Sequence, residues 1–129
     1  MQMTPDKKKN KLYIVVPCYN EEQVLGETSK RLKIKCENLI QKGQISKDSK
    51  IVFVDDGSKD RTWKMISELH ETDSLFSGVK LSRNRGHQNA LLAGLTMASE
   101  HADIVISMDA DLQDDINAVD QMIEKYYEG

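Results

Sequence analysis

The chain has 129 residues, 39% of them hydrophobic, and a formal net charge of -3. This length suits one compact domain, because about 100 to 150 residues is the commonest domain size. Acidic and basic residues are interspersed, so the charge gives no reason to expect nucleic acid or anionic lipid as a partner. The longest apolar runs fall far short of the ~20 residues that span a bilayer.

The first 11 residues are polar and lysine-rich. They lack the apolar stretch that a secretory signal needs, so we predict a flexible tail over residues 1–11 and a folded domain over residues 12–129. We expect the protein to be cytoplasmic. The two cysteines, Cys18 and Cys36, lack the paired spacing of a zinc site, which favours reduced thiols with a structural role.

Strand and helix patterns alternate four times along the chain. Short apolar or β-branched runs predict strands at residues 12–16, 50–54, 79–82 and 103–108. After each strand, apolar residues recur near the helical period of 3.6. The four helical stripes are Leu25, Leu32, Cys36, Leu39 and Ile40; Trp63, Ile66 and Leu69; Leu91, Leu95 and Ala98; and Val119, Met122, Ile123 and Tyr126. This alternation predicts an α/β fold with a parallel sheet, helices on both faces and right-handed crossovers.

Ligands of such sheets bind beyond the carboxyl ends of the strands, so the polar segments there are the candidate site. The first, residues 17–22 (PCYNEE), has no glycine and places two acids where a helix start would otherwise attract phosphate. We expect Asn20 to cap the following helix, with Gln23 completing a capping box. Capping alone would explain this segment without any ligand.

The second segment, residues 55–60 (DDGSKD), begins with two adjacent acids. Gly57 supplies a turn conformation that other residues resist, and Ser58 or Asp60 can cap the next helix. Adjacent carboxylates repel, so we expect one of them to meet a donor, for which a base N–H or a ribose hydroxyl is a candidate. Capping and turn formation explain the segment equally well.

The third segment, residues 82–87 (SRNRGH), brings two guanidinium groups to the same edge of the sheet. Arg83 and Arg85 either face a diphosphate or balance the acids of neighbouring loops, and the sequence leaves both roles open. We expect His87 to be a partly exposed residue at a helix start rather than a metal ligand or a general base.

The last segment places Asp109 and Asp111 directly after an apolar strand. Residues two apart in a strand point to the same side, so both carboxylates can reach one Mg²⁺ or Mn²⁺ ion, which prefers oxygen ligands. Helix capping by Asp111, Asp114 or Asp115 is the alternative. The other polar segments at the same sheet edge favour the metal, because a diphosphate would share it.

Four segments in this order resemble the successive signatures of family 2 glycosyltransferases. They are residues 15–21 (VVPCYNE), 54–60 (VDDGSKD), 82–95 (SRNRGHQNALLAGL) and 108–114 (MDADLQD). The closest likeness is to the subgroup that includes dolichyl-phosphate mannose synthase and bactoprenol-phosphate glucosyltransferases. The resemblance implies a GT-A fold, a Rossmann-like sheet that is truncated here, binding a UDP- or GDP-linked sugar with Mg²⁺ or Mn²⁺.

The resemblance also implies roles for individual residues. Nucleoside contacts would come from Pro17, Tyr19 and Glu21, and base contacts from Val54 and Asp56. The remaining roles fall on the last segment: Asp109 at ribose and metal, Ala110 beside the nucleotide by its backbone, Asp111 on the metal, and Gln113 near the diphosphate or sugar.

By the same resemblance, the reaction is an inverting transfer in which an acceptor oxygen displaces the nucleoside diphosphate. The acceptor would be a polyprenyl phosphate or a glycan, and the full-length protein would lie at the cytoplasmic face of a membrane. We find no catalytic base and expect it outside this chain, so the fragment should bind donor and transfer little sugar. The subgroup commonly has two prolines where Asp115 and Ile116 stand here.

Three other interpretations have different consequences. A non-catalytic nucleotide-sugar binding or interaction module would keep the same binding residues without a base, and activity of the complete protein would distinguish it. A signalling receiver domain would need an acidic pair after the first strand, where residues 17–19 are Pro, Cys and Tyr. A nucleotidyltransferase would need a glycine-rich loop with Arg or Lys at that position.

Overall fold

The computed structural model describes residues 10–111 and 116–128, which form an alternating series of strands and helices. The strands are β1 (Leu12–Cys18), β2 (Lys50–Asp55), β3 (Phe76–Lys80) and β4 (Ile104–Ser107). The helices are α1 (Leu25–Gln41), α2 (Thr62–Thr72), α3 (His87–Ser99) and α4 (Ala118–Glu128). The predicted α/β class is therefore confirmed.

The four strands form one parallel sheet in the order β3-β2-β1-β4. The chain moves outward from β1 to β3 and then returns to the other side of β1 to add β4. The order of the strands thus reverses between β1 and β4. In open α/β sheets a crevice forms at the carboxyl ends of the strands at such a point, and ligands bind there.

Helices cover both faces of the sheet, as predicted. On one face, Ile14 and Phe53 belong to a core that includes buried residues of α1, α2 and α4. On the other face, Val15 and Val54 pack with buried alanines of α3. Right-handed crossovers explain this division. The connection from β3 to β4 runs across the sheet in the direction opposite to the earlier connections, so its helix, α3, must lie on the opposite face.

Strand β3 begins three residues earlier than the predicted strand at residues 79–82, and it ends at Lys80. Its central residue is Gly78, which pairs with Phe53 of β2. A Cβ added at Gly78 would lie 2.5 Å from Cγ2 of Ile66, so α2 packs directly on this strand. Glycine weakens the sequence signal of a strand, which explains why the predicted strand begins too late.

Asn10 and Lys11, which the sequence assigns to the flexible tail, form hydrogen bonds with residues of the domain. The carbonyl of Asn10 accepts a hydrogen bond from the Ser46 N–H at 2.7 Å, and the Lys11 N–H donates to Oδ2 of Asp103 at 2.8 Å. These bonds tie the start of β1 to its neighbours. Within residues 10–111 and 116–128, no helix has the length and apolarity needed to cross a bilayer.

Candidate functional site

A cleft of about 290 Å³ opens at the carboxyl ends of β1 and β4, where the strand order reverses. All four polar segments identified in the sequence contribute to it. The lining residues are Pro17, Cys18, Tyr19, Glu21, Asp56, Asn84, Gly86, His87, Asp109, Ala110 and Asp111. The sheet therefore brings together side chains that are up to 94 positions apart in the sequence, from Pro17 to Asp111.

Hydrogen bonds between backbone N–H groups and side-chain oxygens join the first segment to the second, and Asn20 is the centre of this contact. The Asn20 N–H donates to Oγ of Ser58, and Oδ1 of Asn20 accepts from the Lys59 N–H, both at 2.8 Å. Asn20 has a φ of 53°, a left-handed conformation that asparagine tolerates. Helix α1 begins later, with Val24 at its cap and no side-chain capping bond. The predicted Asn20 cap with a Gln23 capping box is therefore wrong.

In the second segment, α2 has Arg61 at its cap and no side-chain capping bond, so the predicted cap by Ser58 or Asp60 is wrong. Asp60 instead accepts backbone N–H groups from α2 and from the first segment. Its Oδ1 accepts the Thr62 N–H at 2.9 Å, and its Oδ2 accepts the Glu22 N–H at 3.2 Å. The other candidate, Ser58, binds the first segment instead. Asp55 is fully buried, and among the described residues its Oδ2 has no hydrogen-bond partner.

Asp56 holds the third segment against the second. Its Oδ1 accepts the Arg85 N–H at 2.7 Å, and its Oδ2 accepts the Gly86 N–H at 3.1 Å. A Cβ added at Gly57, which has a φ of 74°, would lie 2.5 Å from the backbone nitrogen of Asn84. The donors that meet one of the two adjacent carboxylates are therefore backbone amides of this chain.

The third segment contributes Asn84, Gly86 and His87 to the cleft, and not its arginines. Arg83 and Arg85 are exposed, and neither forms an ion pair with a carboxylate in the described part of the chain. The predicted balancing of neighbouring acids is therefore not seen among the described residues, and the diphosphate role stays a prediction. His87 begins α3 with its side chain 60% exposed, as predicted, and its Nε2 lies 3.9 Å from Oδ1 of Asp109.

The last segment has a fixed backbone between two acids that line the cleft. The Met108 N–H donates to the Val15 carbonyl at 3.0 Å and so continues the ladder of β1 and β4. Ala110 is buried, and its carbonyl accepts a hydrogen bond from the hydroxyl of Thr28 in α1. Asp109 and Asp111 flank this buried residue on the cleft side.

The cleft concentrates negative charge. Burial raises the pKa of Glu21, and the negative charges of Asp111, Asp60 and Asp109 raise it further, while a hydrogen bond from the Tyr19 backbone opposes them. Neighbouring negative charges disfavour the ionised form of a carboxyl group unless a cation offsets them. Within residues 10–111 and 116–128, no group of three or more His, Cys, Asp or Glu side chains could hold a metal ion by itself.

One predicted binding residue of the described part of the chain, Val54, does not line the cleft. Val54 is fully buried, with its Cγ2 only 2.7 Å from where a Cβ on Gly94 would lie, so it offers no surface to a base. Gln113 lies outside the described residues. The sequence could not reveal the burial of Val54, because it depends on the close approach of α3.

Both cysteines are free and buried. Burial raises the pKa of Cys36 to about 12 and also raises that of Cys18, where the charges of Glu21 and Asp55 add to the effect. The Cys18 thiol donates to the Val16 carbonyl. A thiol held neutral is a poor nucleophile, which supports the structural role that we predicted for both residues.

Comparison with known proteins identifies the family. A family profile described as "Glycosyl transferase family 2" matches residues 13–129. The chain belongs to this family. It is 53% identical over 118 residues to the uncharacterized glycosyltransferase YkoT of Bacillus subtilis (strain 168), a match that covers 92% of this chain and 35% of that protein. The family predicted from the four sequence motifs is confirmed.

A second curated relative is named for a lipid-phosphate acceptor. The undecaprenyl-phosphate 4-deoxy-4-formamido-L-arabinose transferase of Enterobacter sp. (strain 638) is 35% identical over 128 residues, covering 98% of this chain and 37% of that protein. The predicted likeness to polyprenyl-phosphate enzymes is thereby confirmed. The chain spans about a third of the length of these curated relatives.

Solved structures confirm the GT-A fold. The mannosyltransferase PcManGT from Pyrobaculum calidifontis, in complex with GDP-Man and Mn²⁺, has a TM-score of 0.60 and 25% identity, covering 84% of this chain and 30% of that one. TarS 1-349 of S. aureus, in complex with UDP, has a TM-score of 0.64 and 21% identity, covering 91% of this chain and 33% of that one. At that identity, TarS shows the fold alone.

Proposed function

We propose that this chain is the donor-binding part of an inverting glycosyltransferase that uses a nucleoside diphosphate sugar and a divalent metal. The observation that supports this most directly is the shared cleft. Pro17, Tyr19 and Glu21 reach it from the end of β1, while Asp109 and Asp111 reach it from the end of β4. Nucleoside and metal-bound diphosphate would then lie side by side where the strand order reverses.

The nucleoside would lie against the β1 segment. Tyr19 is partly exposed and offers an aromatic ring, and Pro17 offers an apolar surface beside it. Glu21 can accept a hydrogen bond from a ribose hydroxyl or a base N–H. PcManGT was solved with GDP-Man, which supports a nucleoside diphosphate sugar as the class of donor. The base and the sugar of the donor are left open between UDP- and GDP-linked compounds.

The residues present suit Mg²⁺ or Mn²⁺ when it arrives with a diphosphate. Such ions are commonly held by one or two carboxylates together with phosphate oxygens and water. Asp109 and Asp111 would supply the carboxylates, which agrees with the lack of a group of three or more metal-binding side chains among the described residues. The Mn²⁺ in the PcManGT complex supports this assignment. When bound, the metal would offset the charge on the departing diphosphate.

The transfer would be a single in-line displacement. The acceptor oxygen forms a bond to the anomeric carbon, the bond from that carbon to the β-phosphate oxygen breaks, and the nucleoside diphosphate leaves with the electron pair. Asp109 and Asp111 would orient the diphosphate, and the buried backbone at Ala110 would keep the two acids in register. Such positioning converts a bimolecular step into an oriented one.

We propose polyprenyl phosphate as the acceptor, on the strength of the relatives named undecaprenyl-phosphate transferases. A phosphate acceptor is already an anionic nucleophile, so it needs no base from this chain. The rest of such an enzyme would bind the acceptor at the cytoplasmic face of a membrane. By this proposal, the chain alone binds donor and transfers little or no sugar.

Calorimetric titration with UDP, GDP and their sugars, with and without Mn²⁺, tests the donor and metal assignments. We expect binding to require Mn²⁺ and to fall at least tenfold in Asp111→Asn, because one of the two carboxylate ligands is lost. Asp48→Asn is the matched control, since Asp48 is exposed in a loop outside the cleft.

Equal binding with and without Mn²⁺ would refute the metal assignment. Absence of nucleotide binding in a folded wild-type chain would refute the donor-binding function. Sugar transfer to undecaprenyl phosphate by the complete protein, with no transfer by this chain alone, is the result expected for the acceptor assignment.

A further inference from the structure

We propose that a second surface of this chain, a groove between α1 and the start of α4, docks on the anionic headgroups of a membrane. The inference goes beyond the proposed transfer reaction, because this α1 groove shares no lining residue with the cleft. The groove has a volume of about 340 Å³. Its α1 wall consists of Arg31, Ile34, Lys35, Asn38 and Lys42.

The α1 wall carries a row of nitrogen-bearing side chains and no acid. Arg31, Lys35, Asn38 and Lys42 recur every three or four positions, so they lie on one face of the helix and its C-cap. The row extends about 16 Å, because each residue advances the helix axis by ~1.5 Å. Glu37 stands within the same stretch of sequence but does not line the groove. The fold therefore separates charges that the sequence intersperses.

The start of α4 brings one acid towards this row, and an ion pair neutralises it. Nζ of Lys35 lies 2.7 Å from Oδ2 of Asp120 and donates to Oδ1 of Asn117 at 3.2 Å. Arg31 and Lys42 are exposed, and neither forms an ion pair with a carboxylate in the described part of the chain. The charges of these two residues are therefore available to an anion from outside.

An exposed isoleucine favours a lipid surface as the source of that anion. The side chain of Ile34 is 58% exposed beside the basic row, and the buried Ile116 adds apolar surface across the groove. At a membrane surface, an apolar side chain enters the boundary of the acyl chains while flanking Lys and Arg meet anionic headgroups. A nucleic acid backbone would meet the cations but would leave Ile34 in contact with water.

Docking through the α1 groove would leave the cleft open to the donor. Strands β1 and β2 are parallel neighbours, so α1 must run back from the carboxyl edge of the sheet to the opposite edge. The groove follows α1 along the side of the sheet, whereas the cleft lies at its carboxyl edge. Vesicle binding and donor binding can therefore be measured separately.

Co-sedimentation with lipid vesicles tests the inference. The probes are vesicles of phosphatidylcholine and phosphatidylglycerol in equal parts, and vesicles of phosphatidylcholine alone. We expect the wild type to bind the anionic vesicles only. The double variant Arg31→Gln/Lys42→Gln should lower the partition coefficient about tenfold, because each basic residue near an anionic surface adds to the attraction.

Arg61→Gln/Lys64→Gln is the matched control for charge. It removes the same two residue types from exposed positions at α2, outside the cleft and the groove, and should keep wild-type vesicle binding. Circular dichroism of each variant checks that the fold is retained.

Ile34→Gln tests the apolar contact and should lower binding to the anionic vesicles about fivefold. Leu92→Gln is its control, because Leu92 is 62% exposed on α3 and should have no part in docking. Nucleotide binding measured by calorimetry should be the same in all four variants as in the wild type.

Equal losses in the two double variants would overturn the inference, because overall charge and not the α1 groove would then explain binding. Absence of wild-type binding to anionic vesicles would also overturn it. Unchanged vesicle binding by Ile34→Gln would exclude a lipid surface as the occupant of the groove. A wild type that bound vesicles but no nucleotide would contradict the proposed function alone.

Discussion

Glu21 shows how a single ionisable residue of the cleft can lower the stability of the folded protein. Its carboxyl is partly buried beside Asp109 and Asp111, and burial together with these charges raises its pKa. The ionised form is therefore disfavoured in the folded protein relative to the unfolded chain. Below the ordinary glutamate pKa both states are protonated and there is no penalty. The penalty appears as the pH rises through the window between the ordinary and the raised pKa.

Glu21→Gln should therefore stabilise the protein at pH 7 and give no gain at a pH below the ordinary glutamate pKa. Urea unfolding at the two pH values measures the difference. Glu68→Gln, an exposed change in the middle of α2, is the control. A gain of equal size at both pH values would contradict the electrostatic explanation.

The sequence predicts the acids of the cleft but not their partners. The positions of Asp109 and Asp111 follow from a local rule, namely that polar residues after a buried strand lie at the sheet edge. The partners of Asn20 and Asp56 lie 39 and 29 positions away, respectively. No local pattern encodes such contacts, so Asn20 was assigned to a cap that it does not form.

At the scale of elements, α3 depends on glycine for its contact with the sheet. A Cβ added at Gly94 would lie 2.5 Å from Cγ1 of Val15 and 2.7 Å from Cγ2 of Val54. These atoms belong to the centre of the sheet and cannot move away easily. The helix therefore lies closer to β1 and β2 than any other residue at this position would allow.

Gly94→Ala should lower the free energy of unfolding by about 1 to 3 kcal/mol, because overpacking outweighs the better helix propensity of alanine. Gly26→Ala is the matched control in α1, where a Cβ meets no atom within 4 Å. That change should be neutral or stabilising by up to about 1 kcal/mol. Urea unfolding of both variants checks the prediction, and equal effects would contradict it.

The elements were predictable to different degrees for physical reasons. Strand β2 buries both faces and reads as a continuous apolar run, so its position followed directly from the sequence. Strand β3 contains Ser77 and Gly78, which interrupt the apolar pattern that predicts a strand. Its position depends on Trp63 and Ile66 of α2, which pack over the glycine. The local sequence does not encode this contact between two elements.

For the whole molecule, the strand order makes β1 and β2 the protected centre. Within residues 10–111 and 116–128, both have neighbours on either side, whereas β3 and β4 lie at the edges and pair on one side only. Amides of β1 and β2 should therefore exchange slowest, and in β4 the N–H groups that point away from β1 should exchange much faster. Hydrogen exchange at two protein concentrations measures this.

Uniformly slow exchange in β4 at both concentrations would contradict this prediction. Slow exchange only at the higher concentration would indicate that a second copy of the chain pairs along the edge of β4.

The hydroxyl of Thr28 gives the acidic turn a mechanical link to the first helix. Because this hydroxyl donates a hydrogen bond to the carbonyl of Ala110, a shift of the peptide between Asp109 and Asp111 would break that bond or move α1. We expect adjustment to a cation to come mainly from rotation of the two carboxylates about their own side-chain bonds. Such an anchored backbone would limit the range of ion radii that the two carboxylates can reach together.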